Sequence, residues 1–135
     1  MIRLDHINMS VENLQTSLDW YQHLFGFKPV ESGDHKGTPY AIVRKDDVML
    51  CLYQLPQKES PSTSQHHKVY HFGIRIDDPE EWEQKLEDSQ VQPHLVWDYP
   101  HSKSWYVRDP SGHEIEVCYW QGNRIQFQPN ASESL

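Results

Sequence analysis

Residues 4–27, LDHINMSVENLQTSLDWYQHLFGF, decide the predicted fold of this chain. Their first eight residues alternate between polar and apolar, a pattern typical of a strand with one buried face. A helix is predicted at about Val11 to Phe25, because apolar residues recur there at helical spacing. Asn13 or Ser10 can cap its start, and Gly26 ends it. The predicted apolar stripe of this helix consists of Leu14, Leu18, Tyr21, His23, Leu24 and Phe25.

The rest of the chain repeats this plan once, which predicts two tandem βαβββ modules. Strands are predicted at Leu4–Val11, Phe27–Glu31, Tyr40–Arg44, Val48–Tyr53, Val69–Ile76, Pro93–Tyr99, Ser104–Arg108 and Glu114–Trp120, and the second helix at about Pro79–Ser89. Module 1 covers about residues 3–55 and module 2 about 68–122, joined by a polar linker at 56–67 that is rich in Pro and Ser. We therefore predict an α+β fold, a half-barrel with a central cleft, in a single domain (1–122) with a tail at 123–135.

Composition limits the classes of function. A chain of 135 residues suffices for one domain with a real core. Its formal charge of −8 repels phosphate backbones and disfavours nucleic-acid binding. Since no apolar run is long enough for a membrane span and no signal peptide is legible, we expect a cytoplasmic protein without a membrane partner. Cys51 and Cys118 lie in apolar runs and are predicted to be buried free thiols.

Strand alternation places polar side chains on the face that the helices leave uncovered. His6 and His71 lie in the opening strands of the two modules, each five residues before the last apolar residue of its strand. Glu116 lies on the uncovered face of the last strand. A lone His or Glu in a strand is usually just a solvated polar residue. The repeated position of the two His residues instead favours one divalent metal ion (Fe, Mn, Zn, Ni or Co) held by His6, His71 and Glu116. The pair His66–His67 is interpreted as incidental.

Three stretches resemble the vicinal oxygen chelate superfamily, which includes glyoxalase, bleomycin-resistance and extradiol dioxygenase proteins. Residues 4–27 resemble its opening strand and helix, with a ligand His. YHFGIRIDD (70–78) resembles its fifth strand, with the second ligand His, and SWYVRDPSGHEIEV (104–117) resembles its closing hairpin, with a ligand Glu. Together they cover nearly the whole chain from residue 4 to 120. The resemblance implies the same fold and the same three metal ligands, but the superfamily performs several reactions.

Departures from the family patterns bear on the reaction. Glyoxalase I carries a ligand Glu on its fourth strand, whereas residues 48–52 (VMLCL) contain no carboxylate. Fosfomycin-resistance thiol transferases resemble the chain at Ser104 and Tyr106, but their sixth-strand Lys and a Thr beside the first His are Val96 and Asn8 here. Extradiol dioxygenases also share the three ligands, but most are about twice as long.

Further residues are candidates for handling a substrate. Arg75 should lie on the uncovered face and could neutralise an anionic group, or it could pair with Glu114. Tyr106 could donate a hydrogen bond to a substrate oxygen or stack on a ring. His101 and Lys103 lie in a loop and could act as acid or base, although a solvated loop is the simpler interpretation.

The sequence thus predicts a metal-dependent enzyme that acts on a small oxygen-chelating or aromatic substrate, with Tyr106 and Arg75 as catalytic candidates. Its reaction type stays open among dioxygenation, isomerisation or lyase chemistry, and thiol transfer of the fosfomycin-resistance kind. A non-catalytic protein that sequesters an aromatic drug or metabolite is the alternative. A homodimer is expected, because one module pair leaves sheet edges open.

Overall fold

The computed structural model describes residues 4–56 and 71–126. Within these ranges the chain forms two compact units. The first comprises the residues up to 56 together with Arg108–Glu114, and the second comprises residues 71–107 and 115–126. Each unit is built around one four-stranded sheet.

The first unit has the predicted order of strand, helix and three strands. Its elements are β1 (Ile7–Val11), α1 (Leu14–Phe25), β2 (Lys28–His35), β3 (Thr38–Lys45) and β4 (Val48–Gln54). The strands lie in the order β1-β4-β3-β2, with β1 parallel to β4 and the other neighbours antiparallel. Asn13, one of the two predicted caps, accepts a hydrogen bond from the Thr16 amide, and Gly26 ends the helix at a φ of 82°.

The helix covers one face of this sheet, as alternation predicted. The buried side chains are Met9, Val11, Ala41, Val43, Leu50 and Leu52 from the strands, with Tyr21, Leu24 and Phe27 from the helix and its exit. Asn8 and Ser10 on the opposite face are exposed. The predicted stripe is wrong in one detail: His23 is exposed, and Ser17 is buried instead. Positions 17, 21 and 24 form one helical face, and position 23 is rotated off it by about 100°.

A buried polar contact ties α1 to the turn at residues 109–113, which belongs to the first unit. The Tyr21 hydroxyl donates to Asp109 Oδ2 at 2.8 Å, and both residues are almost fully buried. Asp109 Oδ1 accepts the amides of Ser111 and His113 at 2.9 and 2.8 Å. One carboxylate therefore organises the turn and satisfies a buried phenol at once.

The second unit repeats the plan. Its elements are β5 (His71–Arg75), α2 (Pro79–Asp88), β6 (Leu95–Asp98), β7 (Ser102–Arg108) and β8 (Glu114–Trp120), in the sheet order β5-β8-β7-β6. The end of the β7–β8 hairpin is the part assigned to the first unit. The buried side chains of the second unit and of this hairpin are Trp82, Leu86, Trp105, Val107, Ile115 and Val117. The α+β architecture of two βαβββ modules is thereby confirmed.

Several predicted boundaries differ by a few residues. β8 has its predicted bounds, whereas β2 extends four residues further, to His35, and β6 is shorter at both ends. The chain continues from β8 into a 3-10 helix, Gln121–Asn123, which reaches the first residue of the predicted tail. Cys51 and Cys118 are both free, as predicted. Cys51 is also buried as predicted, but Cys118 is only half-buried, so the burial predicted for that thiol is wrong. His66 and His67 lie outside the described residues, as do most of the linker and the end of the tail.

No helix in the described ranges is long and apolar enough to cross a membrane.

Candidate metal centre

Two of the three predicted ligands come together in the second unit. His71 begins β5 and Glu116 is central in β8, and these strands are neighbours in the sheet. Since Ile115 and Val117 are buried on the covered face, Glu116 faces the other way. His71 Nε2 lies 3.1 Å from Glu116 Oε1. The predicted pairing of these two side chains is therefore present.

The separation of these two atoms suits a metal ion. An ion held about 2.0–2.2 Å from both, in adjacent coordination positions, separates the two ligand atoms by roughly 3.0–3.4 Å. The His71 and Glu116 side chains are 37% and 23% exposed, so solvent reaches the pair. An imidazole and a carboxylate in this arrangement fit a divalent ion that keeps positions open for substrate.

Glu116 is held by two further side chains. Ser104 on β7 donates to Glu116 Oε2 at 2.8 Å, and the Cys118 thiol donates to the same oxygen at 3.2 Å. Burial raises the pKa of Glu116, but these hydrogen bonds and the neighbouring His71 together lower it by more. The pKa of Glu116 therefore lies below its ordinary value. The carboxylate is therefore ionised at neutral pH, as a metal ligand must be.

Tyr106, a predicted substrate residue, packs beside the pair. Its ring meets the His71 ring edge-on, with centroids 5.7 Å apart and planes at 86°. The His94 ring lies beside the Tyr106 ring, with centroids 6.3 Å apart and planes at 59°. Tyr106 thus restricts the orientation of the His71 imidazole, which is what a ligand His requires.

Arg75, the other predicted substrate residue, is exposed at the end of β5. Burial, together with a hydrogen bond and charge from Glu116, raises the pKa of the Cys118 thiol to about 11, while the charge of Arg75 acts in the opposite direction. The positive charge of Arg75 therefore reaches the Glu116–Cys118 neighbourhood. Glu114, its alternative partner in the sequence analysis, forms an ion pair with Arg108 at 3.6 Å.

His6 lies in the first unit, where its Nδ1 is 2.7 Å from Asp5 Oδ2. A carboxylate on one ring nitrogen is common for metal-ligating His residues, because it directs the other nitrogen to the metal. Across residues 4–56 and 71–126, no three His, Cys, Asp or Glu side chains stand together as a metal centre requires. The place of His6 in the ligand set therefore stays a prediction.

Alternation could have revealed the partners of Glu116. Cys118 shares its face and lies two residues along the same strand, and Ser104 shares the face of Tyr106 on the neighbouring strand. The hydrogen bonds themselves depend on the pairing of β7 with β8. Lys103, predicted to lie in a loop, lies on β7 instead, and its Nζ forms ion pairs with Glu83 at 2.8 Å and Asp98 at 3.8 Å.

Ser104→Ala is expected to weaken divalent metal binding about 10- to 100-fold, the usual effect of removing a partner of a metal ligand. The variant loses the hydrogen bond that lowers the pKa of Glu116 and holds its second oxygen. Competition titration against a chelator measures the change. Ser104→Thr should keep most of the affinity because it keeps the hydroxyl, and Ser102→Ala on the same strand serves as the control. An unchanged affinity in Ser104→Ala would show that Glu116 needs no such support.

Comparisons with known proteins agree with this architecture. Residues 3–117 match the family model of the Glyoxalase/Bleomycin resistance protein/Dioxygenase superfamily. The metallothiol transferase FosB of Staphylococcus epidermidis is 31% identical over 121 residues, covering 84% of this chain and 79% of that protein. The glutathione transferase FosA of Serratia marcescens is 27% identical over 117 residues, covering 84% and 78%.

Solved structures share the fold. A glyoxylase/bleomycin resistance protein/dioxygenase domain from Frankia superposes with a TM-score of 0.77 at 14% identity, covering 89% of this chain and 98% of that one. The fosfomycin resistance protein FosX from Listeria monocytogenes superposes with a TM-score of 0.67 at 14% identity, covering 100% and 99%. The chain therefore belongs to the glyoxalase/bleomycin resistance protein/dioxygenase superfamily.

Proposed function

We propose that the protein is a metal-dependent enzyme that binds a small substrate through its oxygen atoms. His6, His71 and Glu116 are the proposed ligands of one divalent ion (Fe, Mn, Zn, Ni or Co), and Tyr106 and Arg75 are proposed to orient the substrate. The observation that carries the proposal is the 3.1 Å approach of His71 Nε2 to Glu116 Oε1, on a partly exposed sheet face.

The surrounding residues have distinct roles in this proposal. A divalent ion supplies Lewis acidity toward substrate oxygens when it is bound. Ser104 and Cys118 occupy Glu116 Oε2 and leave Oε1 directed at His71. Tyr106 restricts the His71 ring, and Arg75 adds a positive charge that favours an anionic group. Asp5 orients the ring of His6.

Cobalt substitution tests this function independently of the natural substrate. Co²⁺-loaded protein should show visible absorption bands that shift when acetohydroxamate, a bidentate oxygen ligand, is added. Glu116→Gln should show neither the bands nor the shift. Cobalt bands that do not respond to acetohydroxamate would contradict substrate binding through oxygen atoms.

Thiol transfer is the reaction best supported among the alternatives. The support is the 31% and 27% identity to FosB and FosA, which are named as thiol transferases. Asn8 and Val96 depart from the pattern of that group, so adducts are expected to form more slowly than in that group. Mass spectrometry of thiol adducts tests this with glutathione or cysteine and fosfomycin as the probe electrophile. We expect adducts only with metal-loaded protein, and equal yields without metal would overturn this candidate.

Glyoxalase I activity is expected to be slow. The β4 segment Val48–Leu52 lies where glyoxalase I carries its fourth ligand, and it holds no carboxylate that could act as ligand or base. With methylglyoxal and glutathione, turnover should stay far below the roughly 1–1,000 per second of ordinary enzymes with Ni, Zn, Mn or Fe. Turnover within that range would mean that another residue replaces the missing Glu.

We also propose that residues 1–122 form one domain and that the protein is a cytoplasmic homodimer. Each four-stranded sheet ends in two edge strands, and edge strands favour association with further strands or chains. Light scattering should give twice the 16.0 kDa of the chain. A particle of 16.0 kDa at micromolar concentration would contradict the dimer.

A further inference from the structure

Four aromatic rings follow one another from β6 through the β6–β7 turn to the last residue of β8. Trp97 and Tyr99 are parallel, with planes at 3° and centroids 6.0 Å apart. Tyr99 and His101 are near-parallel at 15° and 5.7 Å, and His101 meets Trp120 at 31° and 6.0 Å. We call Trp97, Tyr99, His101 and Trp120 the ring row.

Trp97 and Trp120, the two residues of the ring row that lie on strands, share the sheet face of the His71–Glu116 pair. Trp97 is the partner of Ser104 in the antiparallel pairing of β6 and β7, and paired residues share a face. Ser104 donates to Glu116, so Trp97 and Glu116 face the same way. Trp120 lies four residues after Glu116 on β8, which keeps it on that face. Val96, by contrast, pairs with Trp105 and lies on the opposite face of the sheet, where it is 45% exposed.

Backbone hydrogen bonds hold the segments that carry the ring row, in which Trp97 and Tyr99 are exposed and His101 and Trp120 are half-buried. The Tyr99 amide donates to the Ser102 carbonyl at 2.8 Å, and the Gln121 amide donates to the His101 carbonyl at 2.9 Å. Trp97 is nevertheless 46% exposed and Tyr99 49% exposed. Large aromatic surface held rigidly in water is typical of a preformed ligand site, since little ordering entropy is lost on binding.

The chemistry of the row and its distance from Glu116 define what it can bind. β6 lies two strands from β8, which is roughly 10 Å at the ordinary strand spacing. Trp97, Tyr99 and Trp120 are uncharged, so the row attracts flat apolar rings by stacking and burial. A substrate can therefore stack a ring on Trp97 and place its oxygen atoms near Glu116 if a few covalent bonds separate the ring from these oxygen atoms.

We propose that the ring row is the specificity surface of the site and binds a planar ring of the substrate, with Trp97 as its main contact. This inference rests on the proposed function, which supplies the metal ion that binds the oxygen atoms of the same substrate. The substrate class is thus a compact planar aromatic molecule that carries a metal-chelating oxygen pair.

Two hydroxamates that differ only in their apolar group test the proposal by calorimetry. 2-Naphthohydroxamate carries a fused ring pair long enough to reach Trp97, and acetohydroxamate carries a methyl group. Trp97→Ala in the metal-loaded protein should weaken 2-naphthohydroxamate binding about tenfold and leave acetohydroxamate binding unchanged. Trp97→Phe should recover most of the loss, and Val96→Ala, on the other face of the same strand, should change neither.

Further measurements separate this inference from the metal proposal. 2-Naphthol has a ring but no chelating pair, and it should bind metal-free protein with the same dependence on Trp97. If no metal binds but the affinity for 2-naphthol still depends on Trp97, the metal proposal fails and the proposal of a ring site stands. Equal 2-naphthohydroxamate affinity in wild type and Trp97→Ala would overturn the ring site. So would a change from dimer to monomer in Trp97→Ala, which would assign the row to an interface between two copies of the chain.

Discussion

Glu116→Gln and His71→Ala are each expected to weaken divalent metal binding at least about 100-fold. Glutamine keeps the shape of the side chain but removes the charge, and alanine removes the imidazole that approaches Glu116 Oε1 at 3.1 Å. Competition with a chromophoric chelator measures the affinity. Because an ion that binds only the folded state stabilises it, metal should raise the melting temperature of wild type and not of the variants.

Matched substitutions control for general damage to the fold. Glu114→Gln removes a carboxylate two residues earlier on β8, where Glu114 pairs with Arg108 at 3.6 Å. His35→Ala removes an exposed imidazole from β2. Both should bind metal like wild type. If Glu116→Gln also binds like wild type, the ion lies elsewhere and the proposed centre is wrong.

Asp109→Ala is expected to lower the free energy of unfolding by about 3–4 kcal/mol, a large loss for one side chain. Its carboxylate is 5% exposed and accepts three hydrogen bonds, from Tyr21 and from the amides of Ser111 and His113. Removing it leaves these donors unpaired in a buried place. Urea denaturation measures the change, with Asp19→Ala on the exposed side of α1 as the control. A loss below about 1 kcal/mol would show that water or relaxation replaces these bonds.

Tyr21→Phe examines the other half of this contact and should cost about 1–3 kcal/mol. Burial, with smaller contributions from the charge and hydrogen bond of Asp109, raises the pKa of Tyr21 far above its ordinary value. Above about pH 10 the unfolded chain loses the phenolic proton while the folded chain keeps it, so stability falls as pH rises. Tyr21→Phe should lose less stability than wild type between pH 9 and 11. An identical pH dependence would contradict the buried neutral phenol.

The sequence predicted the modules well because local patterns determine them. Alternation in β1, β5 and β8 places buried and uncovered faces correctly, since every second residue must enter the core. The same parity predicted that His71 and Glu116 lie on the uncovered face. Helix ends followed from Asn13 and Gly26, whose cap functions depend on local chemistry alone.

The Tyr21–Asp109 hydrogen bond and the ring row could not be predicted from the sequence, because both depend on contacts between residues that are distant along the chain. Tyr21 fits the apolar stripe of α1, and nothing near it in sequence indicates that Asp109, 88 residues away, accepts a hydrogen bond from its hydroxyl. The ring row was missed for a similar reason. Trp97 joins the face of Ser104 only through the register of β6 with β7, and β6 is shorter than the pattern suggested.

Anomalous X-ray diffraction from crystals grown with Zn²⁺ or Mn²⁺ tests the central claim most directly. Data collected at the absorption edge of the metal locate the ion without reference to the protein. We predict one strong peak per chain, about 2.0–2.2 Å from His71 Nε2, Glu116 Oε1 and a ring nitrogen of a His6 residue. A fully occupied peak that contacts neither His71 nor Glu116, or the absence of any ordered ion at saturating metal, would contradict the proposed metal centre.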